Sequence, residues 1–226
     1  ARTAANLGNP AMMLYTGLDC HENGNFEDAF TWFTKAAALG QSESIAELAD
    51  YYYHFYDAKE LRSTIPYDPV KAIGLYRRAA TKNFSDAGYT ALQAAFGYIF
   101  HIGHLPLDWG LIADLTHMAA TKERFMFALP YIGYMRIHGL GVTKNIRFAV
   151  QSLLRVLDEE QRAFEEENRV LFYDITRALT RVALGYAYEK GYITGKPDLD
   201  LAVSYYEQSH QYILSHKANL DEELKD

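Results

Sequence analysis

The chain has 226 residues, of which 49% are apolar and 23% charged, and carries a formal net charge of −7. That is enough chain to bury a full hydrophobic core, with ordinary globular composition, and the acidic balance argues against a nucleic-acid partner, whose phosphates need a basic footprint. The apolar runs are broken by polar residues at helical spacing, so no stretch is suited to span a membrane, and a single cysteine excludes an internal disulfide framework and leaves the compartment open.

Residues 1–8 (ARTAANLG) read as the end of a helix, because Ala4-Ala5-Asn6-Leu7-Gly8 repeats the pattern of Ala36-Ala37-Ala38-Leu39-Gly40. The chain is therefore expected to start inside a repeat, as a fragment or as a mature form that follows further sequence. No signal peptide is recognisable, and an excised one would leave no trace. Pro10 opens the first full helix, which ends near Asn23-Gly24. Asn25 to Leu39 forms the next, with Phe26, Ala29, Phe30, Phe33, Ala36 and Ala37 on one face. Gly40 stops it. Ser44 to about Tyr56 is helical, Lys59 to Pro66 is a longer loop, and Asp68-Pro69 starts a helix with proline in its first turn. Residues 86–102 and 108–121 make a third pair, and Arg124–His138 with Asn145–Leu157 a fourth. An acidic insertion at about 158–169 (DEEQRAFEEENR) extends the fourth pair's second helix or forms a short extra one; it is a solvated face or an acidic lobe for a basic partner. Ala183 to Ser209 holds the fifth pair, and the polar tail 215–226 reads as a capping turn or a frayed end.

These pairs are copies of one unit, with a first helix A and a second helix B, at about 9–40, 41–83, 84–122, 123–160 and 165–214. Within helix A, Gly17, Ala49, Gly97, Gly133 and Gly185 align. Six residues later stand Asn23, Phe55, Gly103, Gly139 and Gly191. The residues at the start of helix B are Asn25, Asp68, Asp108, Asn145 and Asp198, spaced 43, 40, 37 and 53 apart, and four after each comes Ala29, Ala72, Ile112, Ala149 or Ala202. Asn and Asp accept from free N–H groups at a helix start, worth about 1 kcal/mol each. A helical glycine costs about 1 kcal/mol against alanine, so its recurrence predicts close approach of a neighbouring helix. The glycines six residues on suit the left-handed position past a helix end.

No pattern for nucleophilic catalysis, phosphate cradling or zinc binding is present: no G-x-S-x-G, P-loop, H-E-x-x-H or C-x-x-C. His101 and His104 stand three apart, but Gly103 between them is expected to end the helix and spoil a metal site. Cys20 and His21 are adjacent on a helix and point about 100° apart; Cys20 is expected to be a buried structural thiol. No cofactor or metal is assigned. A binding surface is the stronger reading. Positions one and five after the small residue of helix A share a face, which gives Asp50 with His54, Tyr98 with Ile102, Tyr134 with His138 and Tyr186 with Lys190, after Leu18 with Glu22 at the start. Three tyrosines in one register would make an amphipathic stripe suited to a peptide or protein edge; their alternative role is packing between repeats. The chain holds 18 tyrosines, a residue favoured at protein interfaces.

LGYAYEKGYITGKPDLDLAVSYYEQS, IGYMRIHGLGVTKNIRFAV and FEDAFTWFTKAAALG resemble the Sel-1-like repeat family, a branch of the tetratricopeptide-type α-solenoids. The resemblance covers nearly the whole chain. It implies an all-α fold, a single domain of about five helix-turn-helix repeats stacked into a curved α-α superhelix, with the A helices on its concave side. It also implies a non-catalytic protein-protein interaction module, a scaffold, adaptor or regulator holding a protein or peptide in that groove. Two other roles follow from relatives: an immunity protein that occludes a bacterial toxin or effector enzyme, and a hydrolase or binder of cell-wall-type ligands, which the absence of an assembled nucleophile and base argues against. Family habit tilts the setting towards bacterial and extracytoplasmic.

Overall fold

The computed structural model describes residues 5, 8–53, 64–99, 102–122, 126–163 and 171–223. Among them lie ten α-helices and no strand: α1 (Pro10–Glu22), α2 (Phe26–Ala38), α3 (Ser42–Tyr53), α4 (Pro69–Ala80), α5 (Ala87–Ile99), α6 (Trp109–Lys122), α7 (Leu129–His138), α8 (Ile146–Ala163), α9 (Leu171–Glu189) and α10 (Leu199–Glu223). Each odd helix is an A and each even helix a B. The helices group into two compact units, Ala1–Glu123 and Arg124–Asp226. Within each unit a helix packs on its own pair partner and on the next helix in the chain, the order of an α-solenoid. No helix among the described residues is long and apolar enough to cross a membrane.

The start signals of helix B act as expected. Asp68, Asp108, Asn145 and Asp198 each accept a backbone N–H three residues on, from Lys71, Leu111, Phe148 and Leu201, at 3.0 Å. Asn25 makes no such side-chain bond. A second bond recurs at this position. The backbone N–H of the capping residue donates to the carbonyl three residues past the small residue of helix A: Asn25 to Cys20 at 2.8 Å, Asp68 to Tyr52 at 2.9 Å, Asn145 to Arg136 at 3.0 Å and Asp198 to Tyr188 at 3.1 Å. The connection closes on the same carbonyl whatever its length.

The glycine of helix A marks where a B-helix side chain presses on its backbone. A β-carbon would sit 2.5 Å from the Phe33 ring at Gly17, 2.3 Å from Ile73 at Gly97, 2.9 Å from Leu153 at Gly133 and 2.8 Å from the Tyr206 ring at Gly185. At Gly17, Gly133 and Gly185 the intruder stands eight residues after the cap of the same pair. At Gly97 it comes from the preceding pair. The paired alanines of helix B are core residues too, with Ala36, Ala79 and Ala80 fully buried.

Several boundaries differ from the sequence reading, for local reasons. Helix α3 begins at Ser42 because Gln41 Oε1 accepts from Ser44 N. Helix α7 begins at Leu129, with Pro130 in its first turn, after a 3-10 turn at Met126–Ala128. The first part of the acidic insertion lengthens α8 to Ala163; its residues 164–169 lie outside the described residues. Its Glu160 is neither a solvated face nor part of an open acidic lobe: it binds Arg177 at 2.6 Å and Arg181 at 2.9 Å, with its side chain only 11% exposed. The tail is not a separate capping turn, because α10 continues to Glu223. At the other end, Gly8 N donates to Ala5 O at 3.0 Å, the turn that Gly40 makes with Ala37 at 3.1 Å, as the matching patterns predict.

Candidate functional site

In the second unit the A-helix register forms a continuous row of rings. Tyr134 and His138 lie one turn apart on α7, with ring centroids 4.4 Å apart. The His138 ring then meets Tyr186 of α9 at 4.8 Å, and Tyr186 meets Tyr192 edge-on at 6.2 Å. Lysines stand over two of the tyrosines: Lys190 Nζ is 5.3 Å from the Tyr186 centroid and Lys144 Nζ 5.8 Å from that of Tyr192, within the range where a cation is attracted by an aromatic face. The inner edges of Tyr134, Tyr186 and Tyr192 rest on a buried cluster of Ile137, Ala149, Leu153, Ala183 and Leu184. The tyrosines are thus half-buried: they pack between helices and also present an edge outward. His138 is exposed.

Two helix ends aim these groups. Gly139 (φ 74°) and Gly191 (φ 68°) take left-handed backbone past α7 and α9. The residue after each closes back on the helix, Leu140 N to Met135 O at 3.0 Å and Tyr192 N to Ala187 O at 2.8 Å. This is the end motif in which an apolar residue after the glycine folds onto the last turn, and it delivers the Tyr192 ring to Tyr186. Burial and the nearby Lys144 charge lower the pKa of His138, so at neutral pH its ring is uncharged and positive charge comes from the lysines. Lys190 is paired with Glu189 at 2.5 Å, and Glu189 also accepts from Tyr206 Oη at 2.9 Å.

The first unit departs from the expected stripe. Asp50 is 9% exposed, its carboxylate accepting a short hydrogen bond from Tyr76 Oη. The register follows helix A alone, and the tyrosine that covers Asp50 comes from α4. Tyr98 is likewise 9% exposed, and its hydroxyl accepts from Arg77 Nη1 at 3.1 Å. Ile102 lies in a 3-10 turn beyond α5, at Ile102–His104, so it does not continue the Tyr98 face by one helical turn. His54 lies outside the described residues, as does His101. Gly103 has φ 60° and His104 φ 65°, so the helix does end there. Among the described residues no group of three His, Cys, Asp or Glu is placed to hold a metal ion. Cys20 is buried, and His21 turns to Tyr51, with Nδ1 2.8 Å from its hydroxyl.

The sequence reading misses Tyr192 and Lys144, because both sit on loops. The signal for Tyr192 is its place directly after Gly191, the position filled by Leu140 after Gly139. Lys144 precedes the Asn145 cap and carries no comparable signal.

The profile of the Sel1 repeat matches residues 1–41, 42–84, 131–151 and 176–209, together more than half of the chain. No curated protein matches it. Among solved structures the chain is similar to c5321, a protective antigen present in uropathogenic Escherichia coli strains displaying an SLR fold, with 19% identity and a TM-score of 0.61 over 93% of this chain and 40% of that one. It is also similar to a Sel1 repeat protein from Oxalobacter formigenes, with 23% identity and a TM-score of 0.58 over 91% of this chain and 74% of that one. The chain thus spans less than half the length of the Escherichia coli antigen. At these identities the likeness shows the fold.

Proposed function

Because the chain belongs to the Sel1 repeat family, whose members generally act in protein interaction, we propose that it is a non-catalytic binding module. The row Tyr134–His138–Tyr186–Tyr192 of its second unit holds a protein or peptide partner. The observation that carries this reading is the half-open ladder itself: four adjacent rings from three chain segments, supported from below by packed core and flanked by Lys144 and Lys190. Rigid aromatic edges lose little conformational freedom on binding and dominate interface energetics. The lysines favour a partner edge that sets carboxylates beside apolar side chains. Asp50 and Tyr98, closed off by Tyr76 and Arg77, are left out of the contact surface.

The test is affinity capture from the native lysate, read by mass spectrometry, with the parent chain beside Tyr134→Ala/His138→Ala. The variant is expected to keep its helicity and to lose its partner by tenfold or more, since central aromatic anchors commonly contribute about 2 kcal/mol or more. The same partner held equally by the folded variant would take the contact off the ladder. A variant that melts would assign these rings to the core.

A further inference from the structure

Between Glu123 and Asp158 the chain has no acidic residue, while Arg124, Arg136, Lys144, Arg147 and Arg155 all stand there, in a chain of net charge −7. Three of these cations sit at the joint between α7 and α8. The joint closes on Arg136 itself, whose backbone carbonyl accepts from Asn145 N at 3.0 Å. Asn145 Oδ1 in turn accepts from Phe148 N at 3.0 Å, which fixes the first turn of α8. The Phe148 ring, 42% exposed, lies against the half-buried Arg136, with the guanidinium Cζ 4.7 Å from the ring centroid. Lys144 and Arg147, on either side of the Asn145 cap, are exposed. Among the described residues no acidic group forms an ion pair with Arg136, Lys144 or Arg147.

The second pair shows the same contact in finished form. Arg136 stands three residues after the small residue of helix A, where the second pair has Tyr52; Phe148 stands three after the cap, where the second pair has Lys71. Lys71 Nζ lies 4.1 Å from the Tyr52 centroid and donates to the Tyr52 hydroxyl at 2.8 Å. In the fourth pair ring and cation have changed places. Phenylalanine carries no oxygen, so the exchange leaves the cation without its acceptor: Arg136 Nε is buried and makes no hydrogen bond. A buried donor left unmet is costly, and the guanidinium fork matches a carboxylate. Arg136 is two residues from both Tyr134 and His138, about 200° round α7 from each, so it lies on the side of the helix away from the ladder.

We propose that this joint is a docking site for an acidic peptide, which sets a carboxylate on Arg136, between Lys144 and Arg147, and an apolar side chain on Phe148. The proposal rests on the reading of the chain as a binding module, but not on the ladder. Charge complementarity selects the occupant: cations without an acidic partner surround an exposed ring, in a stretch that holds no carboxylate of its own. A peptide with glutamates beside leucines answers both features. A nucleic acid answers only the first, and its backbone calls for a longer basic stripe than three cations around one ring.

The test is fluorescence anisotropy of the full chain with a labelled peptide of glutamates interspersed with leucines. Binding is expected, weakening as salt rises, with none for the matching lysine–leucine peptide. Arg136→Met keeps an unbranched apolar stem against Phe148 and should lose about tenfold in affinity, the worth of one charge-assisted contact. The same variant should melt no lower than the parent, because it removes a buried donor that has no acceptor. Tyr134→Ala/His138→Ala should bind the peptide as the parent does, which separates this site from the ladder. The proposal is overturned by a parent chain that does not bind the glutamate peptide, or by equal binding to Arg136→Met. It is overturned equally by an Arg136→Met chain that melts below the parent, by loss of the peptide in the ladder variant alone, or by a single-stranded oligonucleotide that displaces the peptide and binds more tightly.

Discussion

Gly133→Leu and Gly185→Leu are expected to unfold the second unit, seen as loss of helicity and of the cooperative melting transition. At Gly133 the first added carbon would sit 2.9 Å from Leu153 Cγ and 3.0 Å from its Cδ2, and Leu153 is fully buried, so it has nowhere to move. At Gly185 the obstacle includes backbone: the carbonyl of Ala202 would be 3.1 Å away, besides the Tyr206 ring at 2.8 Å. A few surplus methylenes in a packed core cost about 1–3 kcal/mol. Leucine adds four carbons at a helix crossing, in a fold whose whole stability is on the order of 5–15 kcal/mol. Gly185→Leu should be the more damaging of the two. Gly74→Ala in α4 is the control with the opposite sign. Nothing lies within 4 Å of its missing β-carbon, so only helix propensity and chain entropy change, and stability should rise by about 0.5–1 kcal/mol. If the leucine variants melt with the parent, the helices do not cross at these glycines.

The second large effect is in pH. Burial raises the Asp50 carboxyl to about 7, against the opposing hydrogen bond from Tyr76, and the nearby charges of Glu47 and Asp86 raise it further. In the unfolded chain it titrates near 3.8. Between those values the folded protein holds a proton that the unfolded chain has released. Stability therefore falls as pH rises through the window, by about 1.4 kcal/mol for each pH unit crossed. Asp50→Asn keeps an oxygen for the Tyr76 hydroxyl and removes the titration. The variant should match the parent near the lower end of the window and exceed it by a few kcal/mol just above pH 7, in denaturant melts of the two chains. Equal slopes for parent and variant would show that Asp50 is ionised in the fold.

These two cases show what the sequence could and could not carry. The glycines of helix A are legible because a residue that weakens a helix recurs at one register, and only a close neighbour explains that. The caps Asp68, Asp108, Asn145 and Asp198 are legible because capping is local chemistry. Asp50 is not. Its register predicts a surface position, and only the fold brings Tyr76, 26 residues on, over it. Tyr192 escapes for the converse reason: it belongs to no helix register, and the left-handed turn at Gly191 swings it onto Tyr186. The tail reads as an ending because it is polar, yet α10 continues into it as far as Glu223. The match to the Sel1 repeat spans residues 1–41 and 42–84, although Ala49 replaces glycine in the second pair, and does not extend over the third, which retains Gly97.

The bond from the capping N–H of Asn25, Asp68, Asn145 and Asp198 to one fixed carbonyl of helix A has an engineering consequence. It spans five residues from Cys20 to Asn25 and sixteen from Tyr52 to Asp68, so helix B is seated without reference to how much chain lies between. Lengthening such a connection costs only the slow logarithmic growth of loop-closure entropy, about 0.6 kcal/mol per doubling. The joint between the helices of a pair is therefore a natural graft point, where a reporter peptide, a protease site or an added recognition loop can be spliced in without disturbing the stack that carries it.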